Sequence, residues 1–249
     1  MKSSRIIKKK RIALDRFRHH LLSSPQGKNV GKIILFGSLK RNKVRADSDV
    51  DILVLACDNL SDVENATADA ALETGLEIGE SVEPLVYSFG DWRFSTSYFL
   101  YNIAQNGEEI YSMEEAQIRR EESRGYRDLA LEYLEGALDS LKNGHCRLAV
   151  DATYNAAELC AKGLLLFKMD RLPTSHGGVV TKFSEIYIKE GKVQRSLGRA
   201  LNKSLALGNK SRYDRHAIIG PKEVEEVRNL AEDMIRILDK ELSETADDL

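Results

Sequence analysis

The sequence is short of the residues that mark several protein classes. Only three of its 249 residues are cysteine (Cys57, Cys146, Cys160), none in a CxxC pair or at metal-ligand spacing. That excludes a disulfide scaffold or a zinc ribbon and predicts reduced thiols in a cytoplasmic protein. There are four prolines and one tryptophan, and aromatics make up 7% of the chain. No apolar run approaches the roughly 20 residues that cross a bilayer, so no membrane partner is expected. The basic start, MKSSRIIKKKRIALDRFRHH, lacks an apolar core and a small-residue cleavage site, and is not read as a secretory signal. No GxxxxGK[ST] occurs, no GxGxxG precedes a helix, and Ser38 lacks a GxSxG elbow. A P-loop NTPase, a dinucleotide-binding fold and a serine hydrolase are thereby set aside. Internal repeats and low-complexity segments are absent too.

What is present is a globular composition, 42% hydrophobic and 31% charged, with a net charge of −2. The charge is uneven: residues 1–20 carry eight Lys/Arg against one Asp, and the last 28 carry ten acids against four Lys/Arg. Solvated helical faces account for this, and a basic arm for RNA is the alternative.

The chain divides in character. Apolar residues Ile6, Ile12, Leu14, Phe17 and Leu21 predict a helix over 5–22, and SSPQGKNVG a loop. Strand-like runs follow at 32–36, 50–56 and 82–88, the last two separated by a helical pattern that stops near a glycine. Beyond about residue 112 only amphipathic helical stretches occur, broken at Asn143-Gly144, Arg171-Leu172-Pro173, Glu190-Gly191 and Gly220-Pro221. The expected organisation is an α/β (α+β) domain over 1–112, with its core at 30–112 and a small mixed sheet. An all-α up-and-down bundle over 113–249 follows it.

The chemistry concentrates in KIILFGSLKRNKVRADSDVDILVL, Lys32 to Leu55. Asp49 and Asp51 stand at i and i+2 on a strand, so both carboxylates face one way while Val50 and Ile52 face the core. Paired carboxylates suit Mg²⁺, which takes one or two of them plus substrate phosphates. Gly37 lets the backbone approach a ligand, and Ser38 opens a helix and offers donors to phosphate oxygens. Lys40, Arg41, Lys43 and Arg45 add charge suited to a triphosphate.

Gly-Ser, ten residues, then Asp-Val-Asp-Ile resembles the signature of the nucleotidyltransferase superfamily that includes DNA polymerase beta. The nearest pattern, GSxARG of the minimal bacterial and archaeal branch, falls on Gly37, Ser38, Arg41 and Asn42; Asn42 replaces the final glycine and tolerates a left-handed turn. The resemblance covers roughly residues 25–112 and includes YNIAQNGEEIY as a closing helix and turn. It implies Mg²⁺ (Mn²⁺ as substitute) bound by Asp49, Asp51 and a third carboxylate, for which Glu83 is the match. It also implies an NTP, expected to be ATP, held by Gly37, Ser38 and Arg41.

Residues of about 120–242, with LAVDATYNAAELCAKGLLLFK, LPTSHGGVVTKF and SRYDRHAI, resemble the HEPN family of helical bundles. Some HEPN proteins are RNases whose motif has four to six residues between an Arg and a His; here Arg212 and His216 have only three between them. SRYD resembles the tyrosine-containing signature of other HEPN subgroups, with Tyr213 and Asp214. Aminoglycoside nucleotidyltransferases join the same catalytic fold to a related bundle whose helix supplies a Glu base and, four residues on, a phosphate-binding Lys. Glu158 and Lys162 stand at that spacing, which is also ordinary helix decoration. His176 is expected to pack or cap. By analogy a homodimer through the helical half is expected.

The expected function is transfer of a nucleoside monophosphate from an NTP to an acceptor (small molecule, protein or RNA), with release of pyrophosphate. Asp49, Asp51 and Glu83 would be catalytic, Glu158 would be the acceptor's base, and Lys162 would assist on the nucleotide. The alternative is a single-chain toxin–antitoxin-like regulatory module.

Overall fold

A nearly continuous run of buried residues over 50–56, broken only at Asp51, builds the centre of a four-stranded sheet. In a computed structural model, which describes residues 2–93 and 97–247, the strands are β1 (Val30–Leu35), β2 (Val50–Ala56), β3 (Val82–Ser88) and β4 (Glu108–Ser112). Their order is β3-β2-β1-β4. β1 runs antiparallel to β2 and β4, while β2 and β3 are parallel, as two strands joined by a helical crossover must be. That crossover is α3 (Leu60–Ile78), which ends where Gly79 turns left-handed at φ +66°. β2 and β3 coincide at both ends with the runs read from the sequence. β1 begins two residues before the expected Lys32, and β4 was expected only as part of a turn.

Helices cover both faces of the sheet. On one, α1 (Lys2–Ser23) and α3 set Phe17, Leu21, Val63 and Ala70 against Ile33, Leu35, Ile52 and Val54. On the other, Ile34, Leu53 and Leu55 pack with Phe89 of α4 (Phe89–Arg93) and with Leu100 and Ile103 of α5 (Tyr98–Asn106). Ile52 is fully buried; cutting such a side chain to alanine costs about 2–5 kcal/mol. Asp51 shares its face with Leu53 and Leu55, so strand parity alone directs it toward the α5 side. The short α2 (Gly37–Lys40) leaves β1 at the same edge.

The chain forms two compact units, divided between Glu121 and Glu122. The division falls inside α6 (Glu115–Lys142), beyond the change of character read at residue 112. The second unit continues with α7 (Cys146–Leu166), α8 (His176–Phe183), α9 (Arg195–Tyr213) and α10 (Pro221–Asp247). Its connections fall at the Gly and Pro positions that predicted them. α7 is the buried centre: Ala157, Cys160, Ala161 and Leu164 pack with Phe183, Leu201, Met234 and Leu238. A Cβ on Gly163 would meet Leu238 at 3.0 Å, and the Ser123 hydroxyl donates to the Gly163 carbonyl at 2.9 Å, so α6 and α10 approach α7 closely there. Cys160 is buried and Cys57 and Cys146 half-buried, all as free thiols; burial pushes the Cys160 thiol up to about 12. Among the described residues no helix is long and apolar enough to cross a membrane.

Candidate active site

Gly37 sits at the hinge between β1 and α2 with φ +69°. A Cβ built on it would lie 1.7 Å from Asp51 Oδ2. Two independent constraints, the left-handed backbone and the carboxylate, therefore require glycine. The Ser38 N–H donates to Asp51 Oδ2 at 3.3 Å, and the Phe36 N–H donates to the Asp51 carbonyl at 3.0 Å. The Gly-Ser turn and the strand aspartate are thus one interlocked element. The Ser38 hydroxyl oxygen is buried and has no hydrogen-bond partner. Asn42, where the related pattern has glycine, adopts φ +54°. Asparagine enters that region at modest cost because its short amide side chain bonds locally.

Asp49 directly precedes β2 and Asp51 is its second residue, both half-buried, while Val50 and Ile52 are wholly buried between and after them. In the parallel ladder Asp51 stands opposite Glu83. Neighbours in register on parallel strands project to the same face, about 4.8 Å apart at the backbone. Glu83 is exposed because β3 is an edge strand, which also accommodates Pro84. Among the described residues no three His, Cys, Asp or Glu side chains group tightly enough to cage a metal. The donor set is one or two hard carboxylates on an open rim, which fits Mg²⁺ completing its shell with water and phosphate oxygens.

A cavity of about 590 Å³ opens against this element. Gly37, Lys40, Arg41 and Asp51 line it together with Phe36, Phe99 and Asn102. Of the residues named from sequence, Gly37, Lys40, Arg41 and Asp51 line this cavity and Asp49 does not; Ser38 is the chain neighbour of Gly37 and Glu83 the register neighbour of Asp51. Arg45 and Lys43 of the basic loop are exposed and do not line it.

Sequence reasoning passed over the residue that holds the aspartate loop. Lys10 lies on α1 with 1% of its surface exposed. Its ammonium donates to the Ser48 carbonyl, one residue before Asp49, and to Glu80 Oε2 at 2.5 Å. Lys9 pairs with the other Glu80 oxygen at 2.9 Å. Burial pushes the Glu80 carboxyl up, but Lys10 and Lys9 outweigh it and hold the group below the usual carboxylate range. Val50 N–H then bonds the Ser81 carbonyl at 3.0 Å, so one buried lysine ties together the starts of β2 and β3. Other basic residues of the N-terminal helix also have partners. Arg11 forks onto Glu108 at 2.6 and 2.9 Å, and Arg16 and His20 reach Glu77 at 3.1 and 3.2 Å. These contacts tie α1 to α3 and to β4.

A family model described as polymerase beta, nucleotidyltransferase matches residues 23–116, and a HEPN-domain model matches residues 124–242. Over 94 residues the chain is 35% identical to "Putative toxin MJ0605" of Methanocaldococcus jannaschii, an alignment spanning 38% of this chain and 69% of that protein. The chain belongs to the polymerase beta-type nucleotidyltransferases, with a HEPN domain fused behind the transferase fold.

Within the HEPN domain the predicted polar residues are tied to one another. Glu158 is 3% exposed. Its carboxylate accepts from the Tyr154 hydroxyl at 2.6 Å, meets His176 Nδ1 at 2.5 Å, and pairs with Lys162 at 2.9 Å. Burial raises the Glu158 carboxyl, and these three donors outweigh it and hold it low. The Tyr154 hydroxyl is pushed up, first by burial and then by Glu158. The i,i+4 pair is thus part of a satisfied internal network, and His176 joins α8 to α7 through it. Arg212 is engaged as well. It pairs with Asp151, donates to Asn155 Oδ1 at 3.0 Å, and lies 5.8 Å from the Tyr154 ring centre. His216 accepts from Arg215 at Nε2, 3.0 Å away, and its backbone N–H donates to Asp214. Arg212 and His216 therefore serve separate local contacts, while Tyr213 stands 80% exposed beside them.

Proposed function

We propose that the protein transfers a nucleoside monophosphate from a nucleoside triphosphate to an acceptor nucleophile. The observation that carries this reading is the contact of Gly37 with Asp51, in a cavity that Lys40 and Arg41 also line. A carboxylate beside a backbone kept open by glycine, with two cations lining the same cavity, suits a phosphate ligand bridged by a metal ion. A divalent cation would be held by Asp49 and Asp51, with Glu83 beside them, and would supply positive charge to the phosphates.

The chain's own residues do the rest. Lys40 and Arg41 neutralise the triphosphate and orient it with its alpha phosphate toward the aspartates. The unpaired Ser38 hydroxyl carries a cost of about 1–3 kcal/mol that a phosphate oxygen arriving beside Gly37 would relieve. Glu83, exposed and adjacent to Asp51, takes the proton from the acceptor's hydroxyl. The acceptor oxygen forms its bond to the alpha phosphorus as the bond to the bridging oxygen breaks, and pyrophosphate leaves. Glu158 and Lys162 are given no part in this reaction, since the HEPN network occupies both.

The test offers Mg²⁺ and ATP labelled at the alpha phosphate to the purified chain, with cell lysate and total RNA as acceptors. Label should move to one acceptor class, and neither gamma-labelled ATP nor Asp49→Ala or Asp51→Ala should yield it. Label transfer that survives both substitutions would refute the proposal.

A second reading, a toxin-like regulatory module, is favoured by the name of the Methanocaldococcus relative. It requires RNA cleavage that resists chelation and disappears in His216→Ala. The internal pairing of Arg212 weighs against that site.

A further inference from the structure

The cavity does not end at the phosphates. Its lining also includes Phe36, at the start of the Gly-Ser turn, and Phe99, Asn102 and Asn106 on α5. Phe36 and Phe99 meet edge to face with ring centres 5.7 Å apart. Phe99 nevertheless keeps 38% of its surface exposed, an apolar face left open at the cavity. A flat heteroaromatic ring laid there recovers that surface, and every base has a π-face that can stack on an aromatic side chain.

Asn102 and Asn106 are one turn apart on the same helical face. Asn106 Nδ2 lies 3.2 Å from the Asn102 main-chain carbonyl and 2.8 Å from Asn102 Oδ1. An amide's oxygen and nitrogen are usually interchangeable by their shape, but here the contacts decide. Only the NH₂ end of Asn106 can face a carbonyl oxygen, because two oxygens would repel. That same NH₂ then needs an acceptor on Asn102, so the Asn102 oxygen is the end turned toward it. The Asn102 NH₂ is left as the free end, and it meets no acceptor among the described residues. Asn106 thus wires Asn102 as an oriented donor on the cavity wall, beside an open aromatic face.

We infer that Phe99 and Asn102 form a base-recognition subsite that selects purine over pyrimidine nucleoside triphosphates, Phe99 by stacking on the two-ring base and Asn102 by donating to a purine ring nitrogen. This rests on the reading of the cavity as a nucleotide site. The larger face of a purine covers more of the open Phe99 ring than a pyrimidine does. A purine offers three unprotonated ring nitrogens in adenine as acceptors. Asn106 is a positioning residue, acting only through Asn102.

The test is equilibrium binding of non-hydrolysable triphosphates to the full chain with Mg²⁺, comparing adenine, guanine, cytosine and uracil bases and the 1-, 3- and 7-deaza adenine analogues. The wild type should favour the purines by about tenfold, the combined effect of one hydrogen bond and a larger stacked face. One of the deaza analogues should lose the hydrogen-bond share of that factor. Asn102→Leu should abolish that analogue's disadvantage while leaving pyrimidine affinity unchanged. Asn106→Leu should give a weaker version of the same pattern. Phe99→Ala should weaken purines more than pyrimidines. Asp51→Asn is the control and should alter all bases by one common factor. Equal binding of all bases, or an Asn102→Leu effect that is uniform across bases, overturns the subsite and leaves the transferase reading standing. Failure of the wild type to bind any triphosphate overturns both.

Discussion

Replacing Lys10 with methionine keeps the length of the buried stem and removes its charge, and the outcome can be worked from three contacts. The Ser48 carbonyl loses its donor; a buried polar group left without a partner costs about 1–3 kcal/mol. Glu80 loses one of two cations but keeps Lys9 at 2.9 Å, so its loss is smaller than the about 3–5 kcal/mol of a buried pair broken outright. Together these give about 2–3 kcal/mol. At a urea slope of about 1.5 kcal/mol per M the midpoint should fall by about 1–2 M. The single tryptophan, Trp92, lies on α4 in the first unit, so its fluorescence reports that unit without interference from the HEPN domain.

The pH dependence provides a second reading of the same variant. Because Lys10 and Lys9 hold the folded Glu80 carboxyl low, its contribution is complete above the unfolded value near 4.5. It is lost as pH falls through the depressed folded value. The gap between wild type and Lys10→Met should therefore be widest at neutral pH and narrow below about pH 4.5. A midpoint shift under about 0.3 M at pH 7, or a gap that widens on acidification, would refute the account of Lys10.

Other substitutions probe the remaining contacts. Gly37→Ala faces the left-handed backbone cost of about 1–2 kcal/mol and a collision with Asp51; label transfer should vanish, and retained transfer would show that the turn tolerates a side chain. Asn42→Gly should be as stable as wild type within about 0.5 kcal/mol, whereas Asn42→Val should lose about 1–2 kcal/mol by the same fluorescence assay. In the HEPN domain, Tyr154→Phe withdraws a donor from a buried carboxylate and should cost about 1–3 kcal/mol, read as a lower helix-melting temperature by circular dichroism. Glu158 is held low in the fold, so the wild-type HEPN domain should lose stability as pH drops through that carboxyl's range. Glu158→Gln should flatten this acid limb, and an unchanged limb would exclude Glu158 as its source.

The sequence by itself determined the parts of this protein that local physics controls. Val50 to Ala56 and Val82 to Ser88 are short apolar runs bounded by acids and turns, and both strands end where their residues said. The Gly-Ser turn, the paired aspartates and the left-handed Asn42 follow from side-chain size and backbone freedom within about a dozen residues. The helical half was legible through its Gly and Pro breaks. Tertiary structure alone decided the rest. β4 was missed because EEIYS has two glutamates and is a strand only by pairing with β1. Lys10 read as one more surface cation in a basic run, since its partners lie 38 and 70 residues away and nothing near it foretells burial. The fate of Glu158 turned on His176, 18 residues on and in another helix. The purine subsite requires α5 to fold over the end of β1, joining Asn102 and Phe99 to Phe36. Local patterns carry the period and the punctuation of the backbone, but a side chain's charge or amide acquires its role only from what packs against it, and that is set when distant segments meet.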